Sequence, residues 1–142
     1  MNEPALRQRV ADFYAAMNTR DPARIGPCLT DDVDWFIFAP LEVFPLAGHR
    51  SGRDAVLDRF RELPKTMDVK RYEHEAILVD GDTAATLNRL TYVQVTTGRT
   101  IAYRIAQFLR FRDGKVCEFR AVIDSLDAAE QFLGRPLIAS AA

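Results

Sequence analysis

Three short punctuations, Asp80-Gly81, Thr97-Gly98 and Asp113-Gly114, divide the second half of the chain into four β-prone runs. The runs cover roughly residues 67–79, 83–96, 99–112 and 115–124, and Asp-Gly between apolar stretches is a strong hairpin signal. The pattern predicts an antiparallel meander. Within "YRIAQFLRFRDGKV", Tyr103, Ile105, Gln107, Leu109 and Phe111 share one face, because alternate side chains of a strand point the same way. Gln107 is the exception on a face otherwise made of large apolar or aromatic bodies.

The first half has a different period. Leu6, Val10, Phe13, Tyr14 and Met17 recur at the 3, 4 and 7 spacing of a helix face, with Pro4 suited to the first turn. Asp21-Pro22 opens a short second helix that ends near Leu29. "DVDWFIFAP" has the composition of a strand closed by Pro40. Residues 39 to 50 follow as a loop whose apolar members, Leu41, Val43, Phe44 and Leu46, suit a segment folded over something. Ser51 and Asp54 suggest a capping box for a helix that turns Val56, Leu57, Phe60 and Leu63 inward and stops at Pro64. Asp124 or Ser125 caps a last helix, which ends at Gly134.

Helices followed by a long meander give an α+β domain spanning residues 1–142, with helices packed on a strongly curved antiparallel sheet that closes into a cone. The strands are apolar on both faces, as Phe108 beside Leu109 and Val122 beside Ile123 illustrate. One face covers the core, so the other calls for a second copy of the chain, and a homodimer through the outer sheet face is expected. Arg89, Arg104, Arg110, Glu118 and Arg120 fall on that outer face.

A net charge of -1 excludes a basic nucleic-acid surface. No run reaches the roughly 20 apolar residues of a membrane helix, and the N-terminal segment carries Arg7, Arg9 and Asp12 where a signal peptide is apolar. Cys28 and Cys117 belong to no CxxC pattern, which favours two reduced thiols over a structural disulfide. A cytoplasmic protein is expected. "YEHE" does not place three ligands on one face, so no metal or other cofactor is expected.

Taken in order, "DFYAAMNTRDPARI", "LTDDVDW", "HRSGRDAVLDRF", "FLRFRDGKVCEFRAVID" and "FLGRPL" resemble the nuclear transport factor 2-like (cystatin-like) superfamily. The resemblance is to its branch of SnoaL-like cyclases, ketosteroid isomerases and limonene-epoxide hydrolases. It implies the cone-shaped α+β barrel with an interior cavity, but the scaffold hosts enzymes, transport factors and binders alike. Ketosteroid isomerases use an Asp base and an oxyanion hole of Tyr and protonated Asp. Matching positions hold Ile37 at the base, Phe13 at the tyrosine, with Tyr14 adjacent, and Gln107 at the protonated Asp. The Asp-Arg-Asp relay, Tyr and Asn of the epoxide hydrolases fall on Leu90, Asn88, Ala121, Trp35 and Ile37. The acid/base Asp of the cyclases falls on Ala121 again. Isoleucine and alanine exchange no protons, so these mechanisms are closed to the chain.

Strand alternation and this alignment direct Trp35, Ile37, Asn88, Leu90, Tyr92, Tyr103, Ile105, Gln107, Phe119, Ala121 and Ile123 to the cavity face. The helices add Phe13, Tyr14, Met17 and Phe60. These side chains either line a small-molecule pocket or fill the interior outright. The polar tips of Asn88, Tyr92, Tyr103 and Gln107 favour the pocket. Gln107 itself admits two readings: a ligand-holding amide, or a buried amide bonded to Tyr14, Asn88 or Tyr92. His74, on the face that carries Tyr72, is the candidate catalytic acid/base. Glu42 and His49 belong to the loop at the cavity mouth. The expected ligand is a small, apolar, oxygen-bearing molecule. Isomerisation or cyclisation of a carbonyl compound stands against carriage, sensing or protein interaction.

Overall fold

The computed structural model describes residues 1–138. Helix α1 (Glu3–Thr19) opens the chain, its Asn2 side chain accepting the Ala5 N–H, and buries Leu6, Val10, Phe13 and Tyr14 along one stripe. Asp21 caps α2 (Pro22–Ile25) through its side chain, with Pro22 in the first turn. A 3₁₀ turn (Gly26–Cys28) leads into strand β1 (Leu29–Phe38).

The next segment differs from the sequence reading. Residues 48–51 form a four-residue edge strand, β2 (Gly48–Ser51), antiparallel to β1, where a loop is expected. Ser51 therefore belongs to a strand and forms no capping box. Helix α3 (Arg53–Glu62) starts from Gly52 at φ 91°, a left-handed conformation suited to glycine, with no side-chain cap.

Strands β3 (Met67–Asp80), β4 (Thr83–Gln94), β5 (Thr100–Arg112) and β6 (Lys115–Ile123) form the meander, and α4 (Ser125–Leu133) follows. Asp124 occupies the N-cap position of α4 without a side-chain cap bond, while Gly134 ends the helix at φ 74°. The sheet order is β2-β1-β6-β5-β4-β3, and every pairing is antiparallel except that of β1 with β6. The result is an α+β fold with helices against a curled, mostly antiparallel sheet.

Bulges set which side chains face inward. Register shifts after Val69 and after His74 let Val69, Tyr72 and Ile77 all turn toward the interior of β3 at three- and five-residue spacings. In β6 the shift at Cys117 keeps Val116 and Phe119 on the buried face. β5 needs no such correction and alternates without interruption from Ile101 to Phe111.

The core is densest where α1 and β1 meet β5 and β6. The Trp35 and Phe119 rings stack at 3.7 Å between centroids, and Phe60 closes edge-on against Trp35 at 5.9 Å. At the other end α4 is held to the sheet by Arg99, whose guanidinium donates to Phe132 O (2.9 Å) and Gln131 O (3.3 Å). Both cysteines are free thiols. No helix among the described residues is long and apolar enough to cross a membrane.

Candidate functional site

A hollow of about 420 Å³ opens between the curled sheet, α3, α4 and the segment 39–47. From the sheet come Ile37 of β1, Leu90 of β4, Tyr103, Ile105 and Gln107 of β5, and Phe119, Ala121 and Ile123 of β6. The helices add Met17, Arg59, Phe60 and Phe132, and β3 adds Val69 and Tyr72. Val43, Phe44 and Leu46 of the apolar loop complete the wall. Phe44 packs against Phe132 at 5.0 Å and Tyr103 at 6.4 Å, so loop and last helix close the same side.

Five of the residues directed to the cavity by sequence stand outside its wall. Phe13 and Trp35 are spent on packing, their rings buried against Phe119. Tyr92 is fully buried and its hydroxyl hydrogen-bonds to that of Tyr103 at 3.3 Å. Tyr14 and Asn88 are consumed by a buried polar chain just behind the wall. Of the residues placed on the wall, Met17, Ile37, Phe60, Leu90, Tyr103, Ile105, Gln107, Phe119, Ala121 and Ile123 are those the sequence reading also directs there.

The polar chain runs in one direction. Tyr14 donates its single hydroxyl proton to Gln107 Oε1 at 2.7 Å. Its oxygen must then accept from Thr86 Oγ1, also at 2.7 Å. Thr86 in turn accepts from Asn88 Nδ2 at 2.8 Å, and Asn88 Oδ1 accepts from His74 Nδ1–H at 2.6 Å. Asn88 Nδ2 reaches Ile105 O (3.3 Å) and Gln107 Oε1 (3.4 Å) as well.

This order fixes the Gln107 amide. Its oxygen faces Tyr14, so its Nε2–H₂ group lies on the other side, toward the Tyr72 hydroxyl, and makes no hydrogen bond within 3.5 Å among the described residues. Of the two readings of Gln107, the hydrogen bonds of its oxygen realise the buried amide, bonded to Tyr14 and reached by Asn88. Tyr72 stands on the same wall, its hydroxyl buried and without a hydrogen bond within 3.5 Å.

His74 takes the inward register expected of it. It lies on the inward side of β3, with its ring edge-on to Tyr14 at 4.4 Å, yet the residue is exposed and absent from the wall. Along the polar chain three side chains, Asn88, Thr86 and Tyr14, separate it from Gln107. Glu42 is the one carboxylate on the wall among the described residues, carried by an exposed loop position. His49 pairs with Asp34, which also binds Arg120 at 2.6 Å, so His49 belongs to that ionic cluster and not to the hollow. The Asp34 carboxyl is held below the usual range, first by the hydrogen bond from His49 and then by that from Arg120. Among the described residues no three His, Cys, Asp or Glu side chains gather as a metal site.

Sequence reasoning missed two participants. Thr86 lies two residues from Asn88 on the same strand face, so strand alternation carries the signal. Arg59 shares the Val56, Phe60 and Leu63 face of α3 at 3- and 4-residue spacing, a signal masked by its charge.

The chain belongs to the SnoaL-like domain family: the family's sequence profile matches residues 10–119. Among solved structures it is 32% identical to a "Putative Isomerase" from Rhodopseudomonas palustris, with a TM-score of 0.82 over 95% of this chain and 100% of that one. It is 30% identical to a nuclear transport factor 2-like protein from Burkholderia thailandensis, with a TM-score of 0.77 over 92% and 98% of the two chains. A Catenulispora acidiphila protein with a ketosteroid isomerase-like fold, 16% identical, aligns with a TM-score of 0.74 over 90% and 93%. That likeness concerns the fold alone. No curated protein matches the sequence.

Burial raises the pKa of all four tyrosines, Tyr14, Tyr72, Tyr92 and Tyr103, in each case as the leading cause. Tyr14 is pushed up to about 12, with the Thr86 and Asn88 hydrogen bonds opposing the shift. A raised pKa means the neutral form favours the fold, so this stabilisation is complete below the ordinary value near ~10 and is lost as pH climbs past it. We therefore expect phenolate absorbance to stay flat through pH ~10 and to rise in one step with unfolding. A gradual titration of folded protein centred near ~10 would contradict this burial.

Proposed function

We propose that the hollow binds a small apolar molecule through a carbonyl or hydroxyl oxygen, and that the protein acts on it as an isomerase or cyclase of the SnoaL-like kind. The observation carrying this reading is a mostly apolar hollow with two neighbouring polar groups set in its wall, the Gln107 amide and a Tyr72 hydroxyl that makes no hydrogen bond within 3.5 Å among the described residues. A volume of about 420 Å³ lies within the range of small-molecule sites. Two donors converging on one oxygen hold a carbonyl and stabilise the negative charge that develops on it during enolisation. The 32% identity to the Rhodopseudomonas palustris protein supports the isomerase class.

A second reading, non-catalytic carriage, is favoured by Ile37 and Ala121, aliphatic side chains on the wall where the resemblance expects acids and bases. Turnover separates the two readings, and binding is common to both. The probe is 2-acetonaphthone, an apolar ketone, with 2-ethylnaphthalene as its oxygen-free counterpart. The ketone should raise the melting temperature of the protein. Tyr72→Phe should weaken the ketone by about 5- to 10-fold, the worth of one buried hydrogen bond, and leave the hydrocarbon unchanged. Equal ketone affinity in the wild type and the variant would contradict the assignment.

The outer face of the sheet is the second element of the proposal. Leu87, Ala106, Val122 and Phe38 are successive cross-strand partners, so they form one apolar row across β4, β5, β6 and β1. Phe108 lies beside that row, and Phe38, Leu87, Phe108 and Val122 are between 38% and 49% exposed. Arg104–Glu75 and Arg110–Glu118 pairs frame them. A contiguous apolar band with a charged frame suits a symmetric contact with a second copy. Light scattering at micromolar concentration should give the mass of two chains for the wild type and of one chain for Phe108→Glu. A wild-type mass of one chain would contradict the dimer.

A further inference from the structure

Arg59 is the one strongly basic group set into the hollow's wall from α3. Its Nε donates to Leu46 O at 3.3 Å, and its guanidinium carbon lies 5.3 Å from the centre of the Phe60 ring. The two terminal nitrogens have no hydrogen bond, and no carboxylate lies within 4.0 Å, among the described residues. Other arginines of the chain show the contrast: Arg104 has Glu75, Arg112 has Asp32 and Arg120 has Asp34.

The surroundings deepen the imbalance. Arg50 of β2 adds a second positive charge near Arg59. It donates to Ala55 O at 2.9 Å, forms no ion pair among the described residues, and its Nε is buried without a partner. Burial, and then the Arg50 charge, bring the Arg59 pKa down to about 10, so it stays cationic at neutral pH. Both Tyr72 and Tyr103 feel its charge. A guanidinium drawn partly out of water is costly unless an anion with matched geometry meets it, and a carboxylate does so with two parallel hydrogen bonds.

We infer that the ligand of this cavity carries an acidic group, a carboxylate, which pairs with the terminal nitrogens of Arg59 while its apolar body occupies the hollow. The inference rests on the reading of the hollow as a small-molecule site, and it narrows the substrate class to apolar organic acids. Arg59 sets specificity; the oxygen contacts of Gln107 and Tyr72 remain available to a second functional group of the same molecule.

The test compares 2-naphthoate with 2-acetonaphthone, two probes of near-equal shape that differ in charge, by calorimetry near neutral pH. The carboxylate should bind the wild type at least about 10-fold more tightly than the ketone, as expected of a charge-assisted pair in a partly desolvated site. Arg59→Met should erase that preference, the carboxylate losing at least about 10-fold more affinity than the ketone. Should the methionine variant fail to fold, Arg59→Gln, which retains a donor for Leu46 O, carries the same expectation. Equal affinity of the two probes for the wild type, or a carboxylate preference that survives loss of the guanidinium, overturns the inference and leaves the cavity reading intact. If neither probe binds, the cavity reading falls and the inference falls with it.

Discussion

The hydroxyl of Tyr14 is the joint between helix and sheet on which the interior depends. It reaches from α1 to Thr86 and Gln107 on neighbouring strands, both contacts at 2.7 Å and both buried. A phenol in such a place is expensive unless both its donor and its acceptor capacity are used, and here both are. Because it has one proton to give, the whole chain from His74 to Gln107 takes one orientation. The amide of Gln107 is thereby held with its oxygen toward Tyr14 and its nitrogen toward the Tyr72 side of the wall.

The same geometry separates the filled end of the cone from the open one. Trp35 and Ile37 lie on one face of β1, two residues apart. Trp35 is sealed beneath the Phe119 stack, whereas Ile37 borders the void. Phe44 and Phe132 then bring the loop and α4 together over the opening, so the segment 39–47 serves as wall for an interior that the sheet alone leaves uncovered. Arg59 enters this setting as a cation on an apolar face, its neighbours Val56 and Phe60 being buried core.

Much of the architecture was legible because its causes are local. Turn chemistry marks the hairpins at Asp80-Gly81 and Asp113-Gly114, and helix period marks the buried stripe of α1. β2 was not legible: four residues, Gly48 to Ser51, are too short to show alternation, and their pairing with β1 is a tertiary fact. The site was legible only in part. A period of two places Leu90, Tyr103, Gln107 and Ala121 inside, but period does not distinguish a side chain that fills space from one that borders it. That depends on ring stacking across strands, which removed Phe13 and Trp35 from the wall, and on hydrogen-bond bookkeeping, which removed Tyr14 and Asn88. His74 faces inward as its strand register requires, yet its imidazole is tied to Asn88, behind the wall.

The most direct examination of the central claim is a crystal structure of the protein soaked with 2-acetonaphthone. The account predicts the ketone oxygen within hydrogen-bond distance of both Gln107 Nε2 and the Tyr72 hydroxyl, with the rings against Leu90, Phe119 and Ala121. A ketone oxygen directed to the mouth, with Gln107 turned so that its amide nitrogen meets Tyr14, would contradict it.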